Sequence, residues 1–436
     1  MTGKGEVMKR SIGLLILASL LLSVSALFAE PVKLVYWHYF TDRDAVLKKI
    51  AADFEKQTGI QVDVQNYGPP EAYDRRLSAA ARGKALPDLI TITLNITNYA
   101  AYVRGGHFLD LTPYMDKEWK SSIPENYLRG FTFMPEDMSV YGVKKAGLYG
   151  LPVDANCMAI FYNTKLWEKA GLKTAPKTWD EFIAAGKKLR AAGIDPFVAN
   201  FYGQQWENHT FWMNYAFAYL GTKGFTDLAF RRVKFSDPRV VKSFKIFADM
   251  RDAKMYMNGI TGGINGEDIF PQNKVGMFWF GSWEIGVWKQ TAPKFQDFDV
   301  FYPPKPTDAA NQCLLPGGPG AAIAVNANGK NKEAAVKFVK YLTSKVPQLM
   351  YAESSQNIPV NLIARKEMKT GGKLAKFVPW MGSLYYGRFH NPPQWGEALS
   401  KVNVEIQSII LGEKTPEQVC QFLDEEYERI WKRYEQ

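Results

Sequence analysis

The sequence has few of the residues that build metal centres and disulfide scaffolds. Among 436 residues there are three Cys, at positions 157, 313 and 420, and four His, at positions 38, 107, 209 and 390. An odd Cys count in a chain of this length excludes a disulfide scaffold, although one bond between two of the three stays open. The His residues never stand at spacings such as i and i+4, which zinc sites use. We therefore expect no metal site and no cofactor.

Motifs of several enzyme and nucleic-acid-binding classes are also absent. The nucleophile elbow G-x-S-x-G, the zinc-protease motif H-E-x-x-H and the P-loop do not occur. Lys and Arg number 54 against 44 Asp and Glu, a net charge of +10, but both signs are interspersed and no long basic run stands out. The sequence therefore predicts no nucleic-acid partner and no enzyme, and a secreted glycoside hydrolase with paired carboxylates is the catalytic alternative.

Apolar and aromatic residues are plentiful. Hydrophobic residues make up 46% of the chain and charged residues 22%, with 27 Phe, 22 Tyr and 12 Trp. This composition excludes a disordered chain. The length corresponds to two or three domains, at about 100 to 200 residues per domain.

The first 29 residues have the pattern of a secretory signal peptide. A positive start at 8–10 precedes an apolar stretch at 12–22, and small residues then offer cleavage sites after Ala26 or Ala29. The alternative is an uncleaved membrane anchor of about 18 residues, near the lower limit for a membrane span. No Cys follows the apolar stretch, so a lipoprotein anchor is excluded there. The pattern predicts export to the periplasm or another extracytoplasmic compartment.

Strand and helix patterns alternate from the start of the mature chain. A β-rich run at 32–37 precedes a helix that ends at Gly59, and a second strand at 60–64, a helix at 71–84 and a strand at 88–93 follow. This order predicts an α/β fold with a mostly parallel sheet and helices on both of its faces. In such folds the ligand crevice lies outside the carboxyl ends of the strands.

A second α/β unit begins near residue 149. A strand runs to Tyr162, and the capping box Thr178-Trp179-Asp180-Glu181 opens a helix. A buried strand at 275–280 follows, and segments rich in Pro or Gly at 302–306 and 315–320 are candidate crossings between domains. The chain therefore has two regions of α/β order.

Several phrases of the sequence together resemble one known family. They are Phe54–Val62, Pro87–Leu89, Phe108–Tyr114, Gly150–Pro152, Phe161–Lys165, Pro176–Phe182, Gly276–Trp283 and Asn331–Phe338. In this order they are similar to the type 1 extracellular solute-binding proteins of ABC importers, the family that includes the maltose-binding protein. Each phrase alone is weak, but the shared order is specific and spans nearly the whole mature chain.

The resemblance implies the two-lobed periplasmic-binding-protein fold (type II), with the ligand in a cleft between the lobes. By the family pattern, lobe 1 comprises residues 30–113 and 307–357, and lobe 2 comprises 114–306 and 358–436. The implied function is capture of a carbohydrate, an oligosaccharide in the first place, by hinge closure and its delivery to a membrane permease by a monomer. Relatives of this fold also bind glycerol phosphate, uronate, polyamine or ferric ion, and these remain alternatives.

Aromatic platforms are the first requirement of a sugar site, because a pyranose presents an apolar face. Trp283 follows the strand at 275–280 and matches the position where the family places a sugar-stacking Trp, with core packing as the alternative. Trp395 matches a later aromatic of the family, with helix packing as an equal alternative. Trp206 is expected in a loop after the strand near Phe197, where it resembles a third platform.

Polar groups that bind hydroxyls are the second requirement. Asp154 and Asn95 follow predicted strands at the crevice, and Trp37 and His38 follow the first strand, although a lone His is more often structural. The remaining candidates are Gly317 and Gly318, whose backbone N–H groups can approach a ligand or form a plain turn, and Asn357 at an expected third crossing between lobes.

Overall fold

Two β-sheets flanked by helices organise the chain. The structure is a computed structural model that describes residues 32–92, 96–203, 205–368, 372–385 and 391–435. The predicted signal peptide, residues 1–29, lies outside the described residues. The two-lobed α/β fold predicted from the sequence is confirmed, and each sheet forms the centre of one lobe.

Thirteen strands occur in the described residues. They are β1 (Lys33–His38), β2 (Gln61–Asn66), β3 (Leu89–Ile92), β4 (Thr132–Phe133), β5 (Gly147–Leu148), β6 (Leu151–Pro152), β7 (Ala155–Asn163), β8 (Asp195–Val198), β9 (Val275–Gly281), β10 (Phe298–Phe301), β11 (Leu315–Pro319), β12 (Ala322–Val325) and β13 (Leu384–Tyr385).

Seventeen α-helices surround the sheets in the same part of the chain. They are α1 (Asp44–Thr58), α2 (Pro70–Arg82), α3 (Ile96–Arg104), α4 (Lys117–Ser121), α5 (Glu125–Arg129), α6 (Pro135–Tyr141), α7 (Thr164–Lys169), α8 (Trp179–Ala191), α9 (Trp206–Ala229), α10 (Pro238–Asp252), α11 (Gly266–Ile269), α12 (Glu284–Thr291), α13 (Lys332–Leu342), α14 (Lys345–Ser355), α15 (Leu362–Glu367), α16 (Trp395–Leu411) and α17 (Pro416–Tyr434). Short 3₁₀ segments occupy Thr112–Tyr114, Phe270–Gln272 and Lys373–Ser383.

Local signals in the sequence define several of these helices. Helix α1 ends at Gly59, whose φ of 71° is the left-handed conformation that glycine adopts without strain. Helix α8 begins after Thr178, whose side chain accepts a hydrogen bond from the Glu181 backbone N–H at 3.2 Å. The Glu181 carboxylate accepts from the Lys177 N–H rather than from the Thr178 N–H that a full capping box uses.

Both sheets are mixed rather than mostly parallel. The first has the order β2-β1-β3-β12-β6, in which only the β1–β2 and β1–β3 pairs are parallel. The second has the order β13-β11-β7-β9-β8, with β10 also on β7, and its parallel pairs are β11–β13 and β8–β9. The antiparallel pairs arise largely because two segments of the chain cross between the lobes in opposite directions.

These crossing segments form one antiparallel ribbon that joins the lobes. In the second sheet Gly318 pairs with Asn156, and in the first sheet Ile323 pairs with Leu151. Between the two sheets the Gly320 N–H donates to the Asp154 carbonyl at 2.8 Å, so the pairing continues across the gap. The ribbon therefore fixes the position of Asp154 between the lobes.

The sheets differ from the predicted lobe boundaries in two segments. Strand β11, at 315–319, pairs in the second sheet, although the predicted boundary assigned 307–357 to lobe 1. Residues of the 114–150 segment, which the prediction assigned to lobe 2, pack on lobe 1: the Trp119 indole N–H donates to the Thr343 hydroxyl at 2.9 Å. The ribbon explains the first difference, because one strand pair passes through both lobes.

Candidate ligand-binding site

Three aromatic rings form a cluster at the carboxyl end of β9 in the second lobe, where Trp206, from the start of α9, meets Phe280 and Trp283. The Trp206 and Trp283 ring centroids are 5.8 Å apart, and Phe280 lies 5.6 Å from Trp206 and 5.3 Å from Trp283. Both Trp side chains are half-buried. A Cβ on Gly281 would lie 2.0 Å from the Trp283 ring, so the glycine makes room for the indole. We call Trp206, Phe280 and Trp283 the second-lobe platform.

The placement of Trp206 corrects one prediction. The sequence predicted that Trp206 lies in a loop, but it is the first residue of α9. The first turn of a helix still leaves part of its side chain accessible, and Trp206 remains half-buried beside Trp283. Two of the three predicted Trp platforms are therefore brought together in the structure.

A second aromatic group lies at the carboxyl ends of β1 and β2 in the first lobe. The Trp37 indole N–H donates to the side-chain oxygen Oε1 of Gln65 at 3.0 Å, and the Tyr67 hydroxyl donates to the same oxygen at 2.8 Å. The Arg76 guanidinium lies 3.9 Å from the Tyr67 ring centroid and 5.6 Å from that of Trp37. We call Trp37, Gln65, Tyr67 and Arg76 the first-lobe wall. It combines ring surface with amide and guanidinium donors.

A buried charge network lies where the ribbon passes between the lobes. Arg43 forms an ion pair with Asp154, lies 3.1 Å from the Asp42 carboxylate and donates to the side-chain oxygen Oδ1 of Asn357 at 2.9 Å. The Asn357 amide also donates to Asp42 at 3.2 Å. Asp154 is 1% exposed and Asn357 is 2% exposed. Arg43 therefore links Asp154 and Asn357, both of which the sequence predicted to contact the ligand. The Arg43 guanidinium also lies 4.2 Å from the Phe40 ring centroid.

Burial controls the ionisation of this network. It raises the pKa of Asp154 to about 6, and the Arg43 guanidinium opposes that shift. Burial lowers the pKa of Arg43, but the carboxylates of Asp154 and Asp42 outweigh it and hold that pKa well above its ordinary value. A Cβ on Gly320 would lie 1.9 Å from the Asp154 carboxylate. Glycine at position 320 therefore leaves the space that the Asp154 carboxylate occupies in the network.

His38 takes part in the turn between β1 and α1. Its side chain is fully buried, and its Nδ1 accepts a hydrogen bond from the Phe40 N–H at 3.2 Å. The proton must then sit on Nε2, which lies 3.1 Å from the Asp44 carboxylate. Burial lowers the pKa of His38 to about 4. Both ring nitrogens of His38 therefore have hydrogen-bond partners within the turn. This environment matches the structural role that the sequence offered as the alternative to ligand binding.

The remaining predicted residues are placed differently. Trp395 is 2% exposed, and its ring packs at 5.7 to 6.0 Å from Phe225, Phe235 and Tyr427. Its surroundings are those of a core residue, the helix-packing alternative. Asn95 lies outside the described residues.

The two glycine candidates lie in β11. Gly317 and Gly318 pair with Cys157 and Asn156 in β7. Gly318 has a φ of 120°, a conformation that favours glycine, and it is buried. In the structure the two glycines belong to the ribbon.

The lobes also touch through α12 and the C-terminal end of α14. A Cβ on Gly286 would lie 2.0 Å from the Ser355 carbonyl oxygen, so the two backbones meet at the glycine. The Lys289 ammonium donates to the carbonyls of Glu353 at 3.2 Å and Ser354 at 3.3 Å. A cation at the end of a helix binds carbonyls that lack helical partners. Helix α12 begins immediately after Trp283, so this contact is linked to the platform.

Several residues of these groups were not singled out from the sequence. Arg43, Gln65, Tyr67 and Arg76 carry no motif, and their roles arise from neighbours distant in sequence. In the described residues, no group of three His, Cys, Asp or Glu side chains is arranged to hold a metal ion. Cys157, Cys313 and Cys420 are all buried and free, so no disulfide joins them.

The fold and these aromatic groups define a class of protein. Two α/β lobes that are joined by crossing strands, with aromatic and polar side chains at strand ends in both, make a two-lobed ligand-binding protein. The sequence profile described as bacterial extracellular solute-binding protein matches residues 37–349. The chain therefore belongs to that family, whose members are binding proteins.

Individual relatives are distant but cover most of the chain. The multiple sugar-binding protein of Streptococcus mutans is 25% identical over 327 residues, which is 72% of this chain and 72% of that protein. The sn-glycerol-3-phosphate-binding periplasmic protein of Brucella melitensis is 23% identical over 356 residues, 79% of this chain and 78% of that protein. A solute-binding protein of Thermotoga lettingae, solved with α-D-tagatose, is 24% identical, with a TM-score of 0.73 over 92% of this chain and 99% of that one.

Within the described residues, every helix is too short or too polar to span a bilayer. The family description, bacterial and extracellular, agrees with the export that the sequence predicts.

Proposed function

We propose that this protein is the substrate-binding component of an ABC import system and that its ligand is a carbohydrate, an oligosaccharide in the first place. The observation that carries the proposal is the pair of half-buried rings Trp206 and Trp283, 5.8 Å apart near the carboxyl end of β9. Flat rings match the apolar face of a pyranose. The name of the Streptococcus mutans relative, a multiple sugar-binding protein, supports the same ligand class.

The first-lobe wall supplies the complementary chemistry. Sugar hydroxyls need donors and acceptors that are held in place, and Gln65, Tyr67 and Arg76 are fixed by mutual contacts next to Trp37. In this proposal the sugar stacks on the second-lobe platform, and its hydroxyls bind the first-lobe wall when the lobes close. The exported protein then presents its closed form to a membrane permease.

Closure requires that the ligand bind the closed state more tightly than the open state. Reversing a 99:1 preference for the open state needs a differential affinity of about 5.5 kcal/mol. Aromatic pairs contribute about 0.5 to 1.5 kcal/mol each, and hydrogen bonds about 0.5 to 1.5 kcal/mol each. In this proposal the contacts formed only in the closed state are those with the first-lobe wall, and one ring contact with four or five hydrogen bonds, at about 1 kcal/mol each, meets the requirement.

A thermal-unfolding screen tests the proposal. The mature chain, residues 30–436, is heated with gluco-, xylo-, malto- and chito-oligosaccharides, with uronates, and with glycerol 3-phosphate, spermidine and ferric citrate. A ligand at one hundred times its dissociation constant adds about 2.7 kcal/mol to the free energy of unfolding. We expect a rise in melting temperature with one sugar series. A rise with glycerol 3-phosphate or ferric citrate and with no sugar would refute the proposal.

A further inference from the structure

Three carboxyl groups belong to segments next to the second-lobe platform; those of Glu207 and Glu284 are buried, and that of Glu267 is half-buried. The Asn200 side chain connects the segments of Glu207 and Glu267: its Nδ2 donates to the Glu207 carboxylate at 2.9 Å, and its Oδ1 accepts from the Gly266 N–H at 2.8 Å. The charge of Glu267 acts on both Glu207 and Glu284. Glu207 follows Trp206 in the chain, and Glu284 follows Trp283. We call Glu207, Glu267 and Glu284 the acidic group.

The acidic group lacks the partners that buried carboxyls normally have. Glu284 is fully buried, and neither of its carboxyl oxygens has a hydrogen-bond partner among the described residues. One oxygen of Glu207, which is 2% exposed, is also unpartnered in that part of the chain. Structures rarely leave buried polar atoms unsatisfied, so these oxygens point to a missing partner.

The charges around Glu284 supply no counterion. The groups that act on it are Glu267, Asp42 and Asp268, all acidic. Burial raises the pKa of Glu284 well above its ordinary value, and it raises the pKa of Glu207 and of Glu267 to about 7. Without a ligand, the group therefore keeps protons that a cation would displace.

The neighbouring rings favour the same kind of partner. The face of a Trp ring attracts a cation within about 6 Å of its centroid. Trp206 and Trp283 stand beside Glu207 and Glu284 in the chain, and both rings are partly accessible. Carboxyl groups and indole faces together form a site for an ammonium group, whose charge can replace the protons of the acidic group, whereas the hydroxyls of a neutral sugar bring no positive charge.

We propose that the acidic group beside Trp206 and Trp283 binds a protonated amino group of the ligand, so that the carbohydrate is an amino sugar with a free amine. This inference rests on the proposed function for the carbohydrate part and on the acidic group alone for the amine. The amine lies against the carboxylates, and the apolar face of its ring stacks on the platform.

Matched ligands test this inference by titration calorimetry on the mature protein. The probes are the β-1,4-linked glucosamine tetramer, cellotetraose, which has hydroxyls in place of the amines, and spermidine. We expect the glucosamine tetramer to bind at least tenfold more tightly than cellotetraose. The Glu284→Gln variant should lose that preference, because the amide keeps the shape but not the charge.

A second variant and a control distinguish loss of the carboxyl charge from a folding defect. Glu207→Gln should reduce the preference in the same way, and Glu428→Gln, which changes an exposed carboxylate of α17, should leave it unchanged. Thermal unfolding of each variant reports whether it is folded.

The outcomes separate this inference from the proposed function. Binding of spermidine but of neither sugar, with loss in Glu284→Gln, would support the amine site and refute the carbohydrate. Equal binding of the two tetramers, tighter binding of cellotetraose, or a preference that survives Glu284→Gln would refute the amine site. Absence of binding by all three probes would also refute it.

Discussion

Replacement of Arg43 by Met tests the buried network that joins the crossing segments. The Arg43 and Asp154 side chains are only 9% and 2% exposed. The Arg43→Met variant keeps most of the side-chain volume but leaves Asp154 and Asp42 buried together without a cation. Removal of one partner from a buried ion pair costs about 3 to 5 kcal/mol, because an uncompensated charge remains. We expect a loss of that size in the free energy of unfolding at pH 7.5.

Urea unfolding followed by Trp fluorescence measures this loss. A second substitution, Asp154→Asn, removes the uncompensated charge, so the double variant should recover at least about 1 kcal/mol relative to Arg43→Met. The control is Arg231→Met, which breaks an exposed ion pair with Glu428 and should cost less than about 1 kcal/mol. A loss below about 1 kcal/mol in Arg43→Met, or no recovery in the double variant, would refute the reasoning.

Three further results are expected. Gly320→Ala should destabilise the protein by about 1 to 3 kcal/mol in urea unfolding, because the added Cβ would lie 1.9 Å from the Asp154 carboxylate. The control is Gly396→Ala in α16, whose Cβ would meet no atom within 4 Å, so this substitution should be neutral or stabilising. Equal effects of the two substitutions on stability would contradict this prediction. Burial raises the pKa of Glu207 to about 7, so wild-type stability should fall as pH rises from about 4.5 to 7 through this group, which faces Asn200, Tyr202 and Glu267. Glu207→Gln should therefore gain about 2 to 3 kcal/mol relative to wild type between pH 5 and 8 in urea unfolding, and a pH-independent difference would argue against it.

Features encoded by neighbouring residues were predictable from the sequence. The end of α1 at Gly59 follows from the left-handed conformation that only glycine adopts freely there. The start of α8 follows from the Thr178 cap. Trp283 was predicted to follow the buried strand β9, and it does, because the run of apolar residues before it defines the strand. These signals lie within a few residues of the feature that they predict.

Features that depend on distant residues were not predictable in this way. The sequence offered Trp283 and Trp395 as similar platforms, but Trp395 packs against Phe235 and Tyr427, and no local pattern announces those contacts. Arg43 has no motif either, since its role depends on the ribbon that brings Asp154 beside it. Exposure and ion pairing are therefore properties of the assembled fold, and they required the structure.

The most direct test of the account is titration calorimetry of Trp283→Ala with the carbohydrate that the thermal screen identifies. Loss of the ring removes a stacking contact and also the apolar surface that the ring buries against the ligand, together about 1.4 kcal/mol or more, so affinity should fall at least tenfold while the protein stays folded. The matched control is Trp431→Ala, since Trp431 is also half-buried but lies on α17 beside Tyr427, and its affinity should match wild type. Unchanged affinity in a folded Trp283→Ala protein would contradict the claim that the second-lobe platform holds the ligand.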